Sequence, residues 1–208
     1  MSNTQQSLSE IMHTRHSVRK FDPSFSISKE EIESMLREAT SAPSSSNLQP
    51  WKFIVVQDQE VKKDLRKIAY NQEQVETASA VIIVLGDTEM YRNAEQVSQS
   101  SLEAGFINEE TKKVLVENVN KAYPFAPLAK RENIATFDTG LISMQFMLIA
   151  KDKGYDTVAM GGYDKQKLIE RFDINERYTP VVLIALGKAD APAHKTTRLP
   201  IEQLVQFV

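Results

Sequence analysis

The sequence contains no cysteine and only three histidines, and both shortages narrow the chemistry that it can perform. Without cysteine there are no disulfides, no thiolate metal ligands and no cysteine nucleophile. His13 and His16 stand three positions apart without a third ligand, and His194 is far along the chain, so we expect no metal site. The seven glycines form neither glycine-rich phosphate-binding pattern, and a Gly-x-Ser-x-Gly nucleophile motif is missing. If the protein is an enzyme, a bound cofactor must carry the chemistry.

Strong charge and long apolar runs are missing as well. The 25 basic and 28 acidic residues leave a net charge of −3, which gives no electrostatic basis for binding nucleic acid or an anionic membrane. No segment reaches the roughly 18 continuous apolar residues of a membrane span. Residues 1–6 lack the basic start and apolar core of a signal peptide, so the cytoplasm is the expected location. With 208 residues and 41% hydrophobic composition, the chain is long enough to bury a core, and we expect one α+β domain over residues 1–208.

Hydrophobic periodicity and capping residues predict the main elements. The predicted helices are one capped by Ser7 or Ser9 and ending near Thr14, one after a capping box at Ser28, one after Asp58, a polar helical stretch over 95–120, a long helix over 128–153 that ends at Gly154, and one after Asp164. The β-branched run over 80–86 predicts a strand buried on both faces, and strands are also expected over 52–56 and 180–187. The middle of the long helix is apolar nearly all round, so we expect it to be buried on most sides.

Three serines and an asparagine stand between two prolines in the segment Ala42-Pro43-Ser44-Ser45-Ser46-Asn47-Leu48-Gln49-Pro50-Trp51. The prolines restrict the backbone while the polar side chains supply hydrogen-bonding groups, an arrangement suited to holding a flat polar ligand. The same composition also suits an ordinary connection between a helix and a strand. Composition alone leaves both interpretations open.

Arg15, Ser17 and Arg19 alternate, so an extended backbone would place all three on one face. Two guanidinium groups and a hydroxyl on one face suit a phosphate dianion, although a solvated basic face has the same pattern. Arg198 is either a further cation for such a site or a solvated residue of the tail. The polar tail becomes apolar beyond Arg198, and the surface of a partner subunit is one candidate to cover it.

Two further pairs have a functional and a structural interpretation. Gly161-Gly162 permits close approach of a ligand to the backbone, and glycines also serve turns between strands and helices for purely structural reasons. Asn71 and Gln74 are predicted on one face of a short helix, where they would either pair with the amide edge of a ligand or remain solvated.

These segments, in this order, resemble the nitroreductase family of FMN-dependent oxidoreductases. The resemblance rests on Arg15-His16-Ser17-Val18-Arg19, the serine-rich segment ending in Pro50-Trp51, Met160-Gly161-Gly162-Tyr163-Asp164 and Arg198-Leu199-Pro200, and it covers nearly the whole chain. It implies a mixed, mainly antiparallel central sheet flanked by helices, in an intertwined homodimer with two FMN sites at the interface. The long apolar helix would form the dimer core and the apolar tail would embrace the partner.

The resemblance also implies a role for each residue group. Arg15, Ser17, Arg19 and Arg198 would hold the FMN phosphate, with His16 beside them. Pro43, Ser44, Ser45 and Asn47 would come from the other subunit to the ribityl chain and the ring. Asn71 and Gln74 would face the pyrimidine edge of the flavin, and Gly161 and Gly162 would lie near its N5. Many family members carry Lys or Arg at the position of Gln74, where a cation stabilises the anionic reduced flavin, so the flavin potential of this protein stays open.

The implied reaction passes a hydride from NADH or NADPH through flavin N5 to a nitroaromatic or quinone-type acceptor by a ping-pong mechanism, with no catalytic side chain required. The region over 95–127 would cover the flavin and shape the choice of acceptor, with Phe106, Tyr123 and Phe125 as candidate lid aromatics. Two alternatives remain: a reductive dehalogenase or flavin-fragmenting enzyme of the same fold, and a flavin-binding protein without turnover.

Overall fold

The structure is a computed structural model that describes residues 7–208. The expectation of no signal peptide rests on residues 1–6, which lie outside the described range. The described chain folds into helices and one sheet. Its α-helices are α1 Leu8–Thr14, α2 Lys29–Ala39, α3 Gln59–Ile68, α4 Glu73–Thr77, α5 Ala94–Glu103, α6 Glu109–Ala122, α7 Leu128–Asp152 and α8 Lys165–Phe172. Its strands are β1 Trp51–Val56, β2 Ala80–Asp87, β3 Asp156–Met160 and β4 Tyr178–Gly187. Short 3-10 turns occupy Ser45–Asn47, Met90–Asn93 and Ile201–Gln203.

The predicted capping residues do begin the helices. The Ser7 side chain accepts the Glu10 N–H while Glu10 accepts the Ser7 N–H at 2.6 Å, which completes a capping box at the start of α1. Asp58 caps α3 by accepting the Val61 N–H at 2.9 Å, and Asp164 caps α8 in the same way. Ser28 accepts the Glu31 N–H at the start of α2, which is one half of the capping box predicted there. Each of these bonds satisfies an N–H group that the helix itself leaves unpaired.

The four strands form an antiparallel sheet in the order β1-β2-β4-β3. Residues 15–19 extend the sheet beyond β3 through a parallel bridge between Ser17 and Thr157, in which the Val18 N–H donates to the Thr157 carbonyl at 3.1 Å. The segment over 15–19 and strand β1 therefore lie at opposite edges. Four strand spacings of about 4.8 Å place these edges roughly 19 Å apart across the sheet.

Helices cover both faces of the sheet. Alternate residues of β2 enter different hydrophobic clusters, and all eight residues of this strand are buried, as its β-branched run predicts. Leu65 of α3, Val75 of α4 and Leu168 of α8 pack on one face. Helices α2 and α7 pack on the other, through residues such as Met35 and Phe146.

Helix α7 is apolar on more sides than a single chain can cover. Ile142 and Phe146 are buried against the sheet, whereas Phe137 is 66% exposed and Met144 is 39% exposed. Within the predicted apolar middle over 140–150, only Gly140 and Met144 are exposed and the other residues are buried or half-buried, so the expected burial holds for most of that stretch. The exposed Phe137 lies before it. Among the described residues, no helix combines the length and apolarity that crossing a bilayer requires.

The polar stretch predicted as helical over 95–120 consists of two helices, α5 and α6, instead of one. The chain turns between them at Gly105, which has a φ of +74° that other residues adopt at a cost. Lys112 of α6 joins the pair by contacting Glu95 at 2.7 Å and Gln99 at 2.6 Å on α5. Phe106 lies at the turn between the two helices and Phe125 lies beyond the end of α6. Each of these side chains is 83% exposed.

Candidate active site

The basic segment over residues 15–19 has one buried and one outward face. Val18 is 3% exposed and packs into the core, so the extended backbone turns Ser17 and Arg19 away from it. Ser17 and Arg19 line a cavity of about 410 Å³ together with Gln74 and His194. Two of the three alternating residues, Ser17 and Arg19, therefore lie beside Gln74 of α4, and Arg15 is not among the residues that line this cavity.

Arg15 stands at the end of α1, and its Nε is buried without a hydrogen-bond partner among the described residues. A buried guanidinium N–H without an acceptor costs free energy, so this position favours a ligand that brings an acceptor. A phosphate group has the charge and the oxygen geometry to fill that role. His16 is exposed on the neighbouring position.

Gln74 is 6% exposed, and its side-chain amide donates to Gln72 Oε1 at 3.0 Å and to the Met160 sulfur at 3.3 Å. Gln72 in turn donates to the Gly162 carbonyl at 2.8 Å. The two amides therefore tie the start of α4 to the glycine turn after β3. Asn71 does not share a helix face with Gln74, because α4 begins at Glu73 and Asn71 has a left-handed backbone with a φ of 60°.

The glycine turn leaves open surface at the end of β3. A Cβ added at Gly161 would meet nothing within 4 Å, and one at Gly162 would make only ordinary contacts, with Gln72 at 3.5 Å and Tyr70 at 3.9 Å. Neither glycine has a positive φ, so neither backbone strain nor tight packing explains them. The absence of side chains instead leaves room for a flat ligand to approach the backbone.

The tail contributes His194 to the cavity of Ser17 and Arg19, but not Arg198. Arg198 is exposed and bonds within its own segment, to Thr196 Oγ1 at 2.9 Å and to the Thr197 carbonyl at 2.8 Å. In the single chain the structure therefore does not bring Arg198 into the lining of that cavity.

The serine loop, residues 43–49, is held by bonds from within and from other elements. Ser44 Oγ accepts the Gln49 N–H at 3.0 Å, and Ser45 donates both its N–H and its hydroxyl to Asp138 of α7, at 2.9 and 3.1 Å. The Ser46 hydroxyl lies 3.0 Å from the Tyr123 hydroxyl. Pro43, Ser46 and Asn47 are exposed, and of these Ser46 is occupied by Tyr123, so Pro43 and Asn47 are the residues of the loop freest to meet a ligand.

Two cavities, of about 430 and 480 Å³, lie between the serine loop and helices α5 and α6. Asn47, Val97 and Ser101 line both of them. Trp51 and Phe106 add aromatic surface to the first, and Leu115 and Val119 make the second more apolar. No charged side chain lines either cavity, so their walls suit an uncharged ligand.

The predicted site residues thus form two halves. Arg15, Ser17, Arg19, Gln74, Gly161 and Gly162 gather around β3. The serine loop leads into β1, at the other edge of the sheet.

Comparison with known proteins decides the family. The family model described as Nitroreductase family matches residues 12–188, which include both halves of the site. The chain belongs to the nitroreductase family.

Individual nitroreductases resemble this chain over nearly their full length. YodC of Bacillus subtilis, assigned as an NAD(P)H nitroreductase, is 42% identical over 195 residues, which are 94% of this chain and 96% of that protein. The enone reductase of CLA biosynthesis from Lactiplantibacillus plantarum is 35% identical over 204 residues, covering 97% of this chain and 94% of that protein. A crystal structure from Exiguobacterium sibiricum, described as a nitroreductase in complex with FMN, matches with a TM-score of 0.94 at 38% identity and full coverage of both chains. The predicted α+β nitroreductase fold is confirmed.

Several residues that support the nitroreductase site were not predicted as part of it. Gln72, Asn93 and Asp138 all bond to predicted site residues or to the serine loop. Tyr123 was predicted as a lid aromatic, and its hydroxyl contacts Ser46 of the serine loop. Of these, Asp138 carried a sequence signal, because it is a lone carboxylate just before the apolar middle of a long helix. Asn93 and Gln72 are polar residues in polar stretches, and only the folded contacts distinguish them.

Proposed function

We propose that this nitroreductase is an FMN-dependent enzyme that takes a hydride from NADH or NADPH and delivers it to a nitroaromatic or quinone-type acceptor. The observation that carries the proposal is the buried Nε of Arg15, which has no partner among the described residues and stands on the segment of Ser17 and Arg19. Those three side chains would hold the FMN phosphate through charge-assisted hydrogen bonds. The FMN bound in the structure from Exiguobacterium sibiricum, which is similar over its whole length, supports the same cofactor here.

The flavin ring would then lie along the end of β3. The open backbone at Gly161 and Gly162 admits a flat group, and the amides of Asn71 and Gln74 would provide hydrogen bonds to its pyrimidine edge. His16 and Arg198 would complete the phosphate end, with Arg198 reaching it from the tail. Each of these residues binds or orients the cofactor, and none of them has to transfer a proton.

We propose that the active unit is a homodimer in which Pro43, Ser44, Ser45 and Asn47 come from the partner subunit. The position of the two halves at opposite edges of the sheet supports this, because a second copy could bring its serine loop to the phosphate half of the first. The exposed Phe137 and Met144 on α7, together with the exposed apolar tail, supply surface for such a contact. Since both faces of β2 carry a hydrophobic cluster, we also propose that residues 1–208 act as a single domain.

When bound, FMN would supply the redox chemistry by accepting a hydride at N5 from the nicotinamide and donating it to the second substrate. The chain shows no glycine-rich dinucleotide-binding pattern, which favours a nicotinamide and an acceptor that use the same surface in turn, in a ping-pong mechanism. The uncharged cavities beside Asn47 would favour neutral acceptors.

A second candidate acceptor is an enone. The enone reductase from Lactiplantibacillus plantarum is 35% identical to this chain, and a polarised carbon–carbon double bond accepts a hydride from the same cofactor. The apolar side chains of Leu115 and Val119 beside the serine loop would suit the hydrocarbon part of such a substrate.

The deciding experiment is the visible spectrum of the purified protein before and after anaerobic NADH or NADPH. We expect flavin bands that bleach on addition, a released cofactor that is FMN, and reoxidation by a quinone, a nitroaromatic or an enone. Parallel double-reciprocal plots with the preferred acceptor would support the ping-pong order. A protein that stays colourless after FMN is supplied contradicts the proposal, and a yellow protein that does not bleach would be a flavin-binding protein without turnover.

A further inference from the structure

Asp138 lies fully buried on α7 and bonds to the serine loop. Its carboxylate accepts the Ser45 N–H at 2.9 Å and the Ser45 hydroxyl at 3.1 Å. Hydrogen bonds to an ionised acceptor are shorter and stronger than those between neutral groups, so this pair fixes one residue of the loop at two points.

The position is an expensive one for a carboxylate. Asp138 makes no salt bridge with any described residue, and burial raises its pKa while the two bonds from Ser45 partly oppose that rise. A buried charge without a cation lowers the stability of a fold compared with an apolar side chain of similar size. Since packing alone would favour an apolar residue at 138, the carboxylate indicates a role in holding the loop.

The loop needs such an anchor because its backbone is strained. Ser46, Asn47 and Gln49 all have positive φ angles, of 52°, 53° and 49°, in a region that residues other than glycine occupy at a cost. Tyr123 contacts the loop at Ser46, and Asn93 donates to the Leu48 carbonyl at 2.9 Å. Asp138 adds the two charge-assisted bonds at Ser45, directly before the strained pair.

We propose that Asp138 is a positioning residue of the flavin site, which acts through Ser45 and does not touch the cofactor. By accepting a hydrogen bond from the Ser45 hydroxyl, it leaves the lone pairs of that oxygen as the group offered to a ligand. By fixing Ser45, it keeps the exposed Asn47 side chain at a defined place beside both loop cavities. The inference rests on the proposed function, because it takes the serine loop as part of the FMN site.

The first test reads the loop itself, without cofactor. Asp138→Leu fills the volume without acceptors, Asp138→Ala removes both acceptors and the volume, and Asp138→Asn keeps one acceptor for the Ser45 N–H and can donate to its hydroxyl. Ser143→Ala is the control, since Ser143 is buried on the same helix and its hydroxyl has no partner among the described residues. We expect amide hydrogen exchange over residues 43–49 to speed up at least about tenfold in the Leu or Ala variant, and to stay close to the wild-type rate in the Asn and Ser143 variants. The fluorescence of Trp51, the single tryptophan, should change in the same variants.

The second test reads cofactor binding in the folded dimer by titration with FMN. We expect the dissociation constant to rise about tenfold in the Leu or Ala variant and by less than about threefold in the Asn variant. Circular dichroism identifies variants that fail to fold, and whichever of the Leu and Ala variants folds decides the result. Unchanged exchange and FMN affinity in that variant would overturn the positioning role while leaving the proposed function intact. Failure of the wild-type protein to bind FMN would instead overturn the proposed function, and the exchange experiment would still report whether Asp138 holds the loop.

Discussion

The surroundings of Arg15 favour a ligand, because its buried Nε has no acceptor among the described residues. Arg15→Ala should weaken FMN binding by about 1.5–3 kcal/mol, the range for a hydrogen bond to a charged group, and so raise the dissociation constant at least tenfold. Fluorescence titration with FMN measures the change. Arg37→Ala removes an exposed arginine of α2 and is the matched control, for which we expect no change. Equal FMN affinity in both variants would argue against the phosphate role of Arg15.

The resemblance described above implies a basic side chain in many family members at the position where this chain has Gln74. Gln74→Lys should raise the flavin midpoint potential, because a cation near the ring stabilises the anionic reduced form. For a cation about 4–5 Å from the ring at an effective dielectric constant of about 20, we expect a rise on the order of 80 mV for the two-electron couple. Equilibration with a reference dye measures it.

Gln166→Lys is the control for net charge, since Gln166 is exposed on α8. A rise of similar size in both variants would indicate a general charge effect. No rise in Gln74→Lys would place this side chain away from the ring.

At the scale of elements, helix starts and the buried strand could be predicted because their signals are local. A capping side chain accepts a hydrogen bond from a backbone N–H only three residues away, as Asp58 does from Val61. The fully buried strand β2 likewise has a continuous β-branched sequence. The break between α5 and α6 was missed because Gly105 stands among residues that are compatible with a helix. The prediction for Asn71 was wrong about its element, because the chain turns left-handed at Tyr70 and Asn71 before α4 begins.

Lys62 of α3 joins two elements, since its Nζ donates to the Ala78 carbonyl at the end of α4. Burial lowers the pKa of Lys62 despite the nearby carboxylates of Glu76 and Asp58. The unfolded chain therefore holds the Lys62 proton more tightly than the native state. Between the lowered pKa and the ordinary 10.5, this group makes the free energy of unfolding increase as pH rises.

Lys62→Met should remove that contribution, so the stability of wild type relative to the variant should increase as pH approaches 10.5. Lys63→Met is the matched control, because a hydrogen bond and charge from Glu60 raise the pKa of the exposed Lys63. The stability of wild type relative to the Lys63→Met variant should instead decrease as pH rises through and above 10.5. Denaturant unfolding at several pH values measures both, and the same slope in the two variants would contradict the burial of the Lys62 charge.

At the scale of the molecule, the exposed apolar face of α7 should be the subunit contact. We expect the wild-type protein to sediment as a dimer of the 23.5 kDa chain. Phe137→Glu should shift it toward monomer and release FMN, because a charge in an apolar interface loses hydration without gaining a partner. Val114→Glu on α6, at a 50% exposed position, should leave the dimer intact. Sedimentation equilibrium separates these outcomes, and a dimeric Phe137→Glu protein would show that the contact lies elsewhere.

The sequence predicted the individual segments of the candidate site but not their positions relative to one another in the sheet. Alternation identified Arg15, Ser17 and Arg19 as one face, and the glycine pair marked the end of β3. That the serine loop lies at the far edge depends on the strand order β1-β2-β4-β3, which is a long-range property that no local pattern encodes. The role of Asp138 likewise depends on a contact between distant parts of the chain.

The division of the site between opposite sheet edges has a consequence for mixtures of defective subunits. If each FMN site takes its phosphate half from one copy and its serine loop from the other, Arg15→Ala weakens the half that one copy supplies and Asn47→Ala weakens the half that the other copy supplies. A heterodimer of the two variants would contain one site with both defects and one site with neither. Random mixing would therefore restore wild-type FMN affinity at about a quarter of all sites, so two variants with weakened FMN binding would complement each other in one tube.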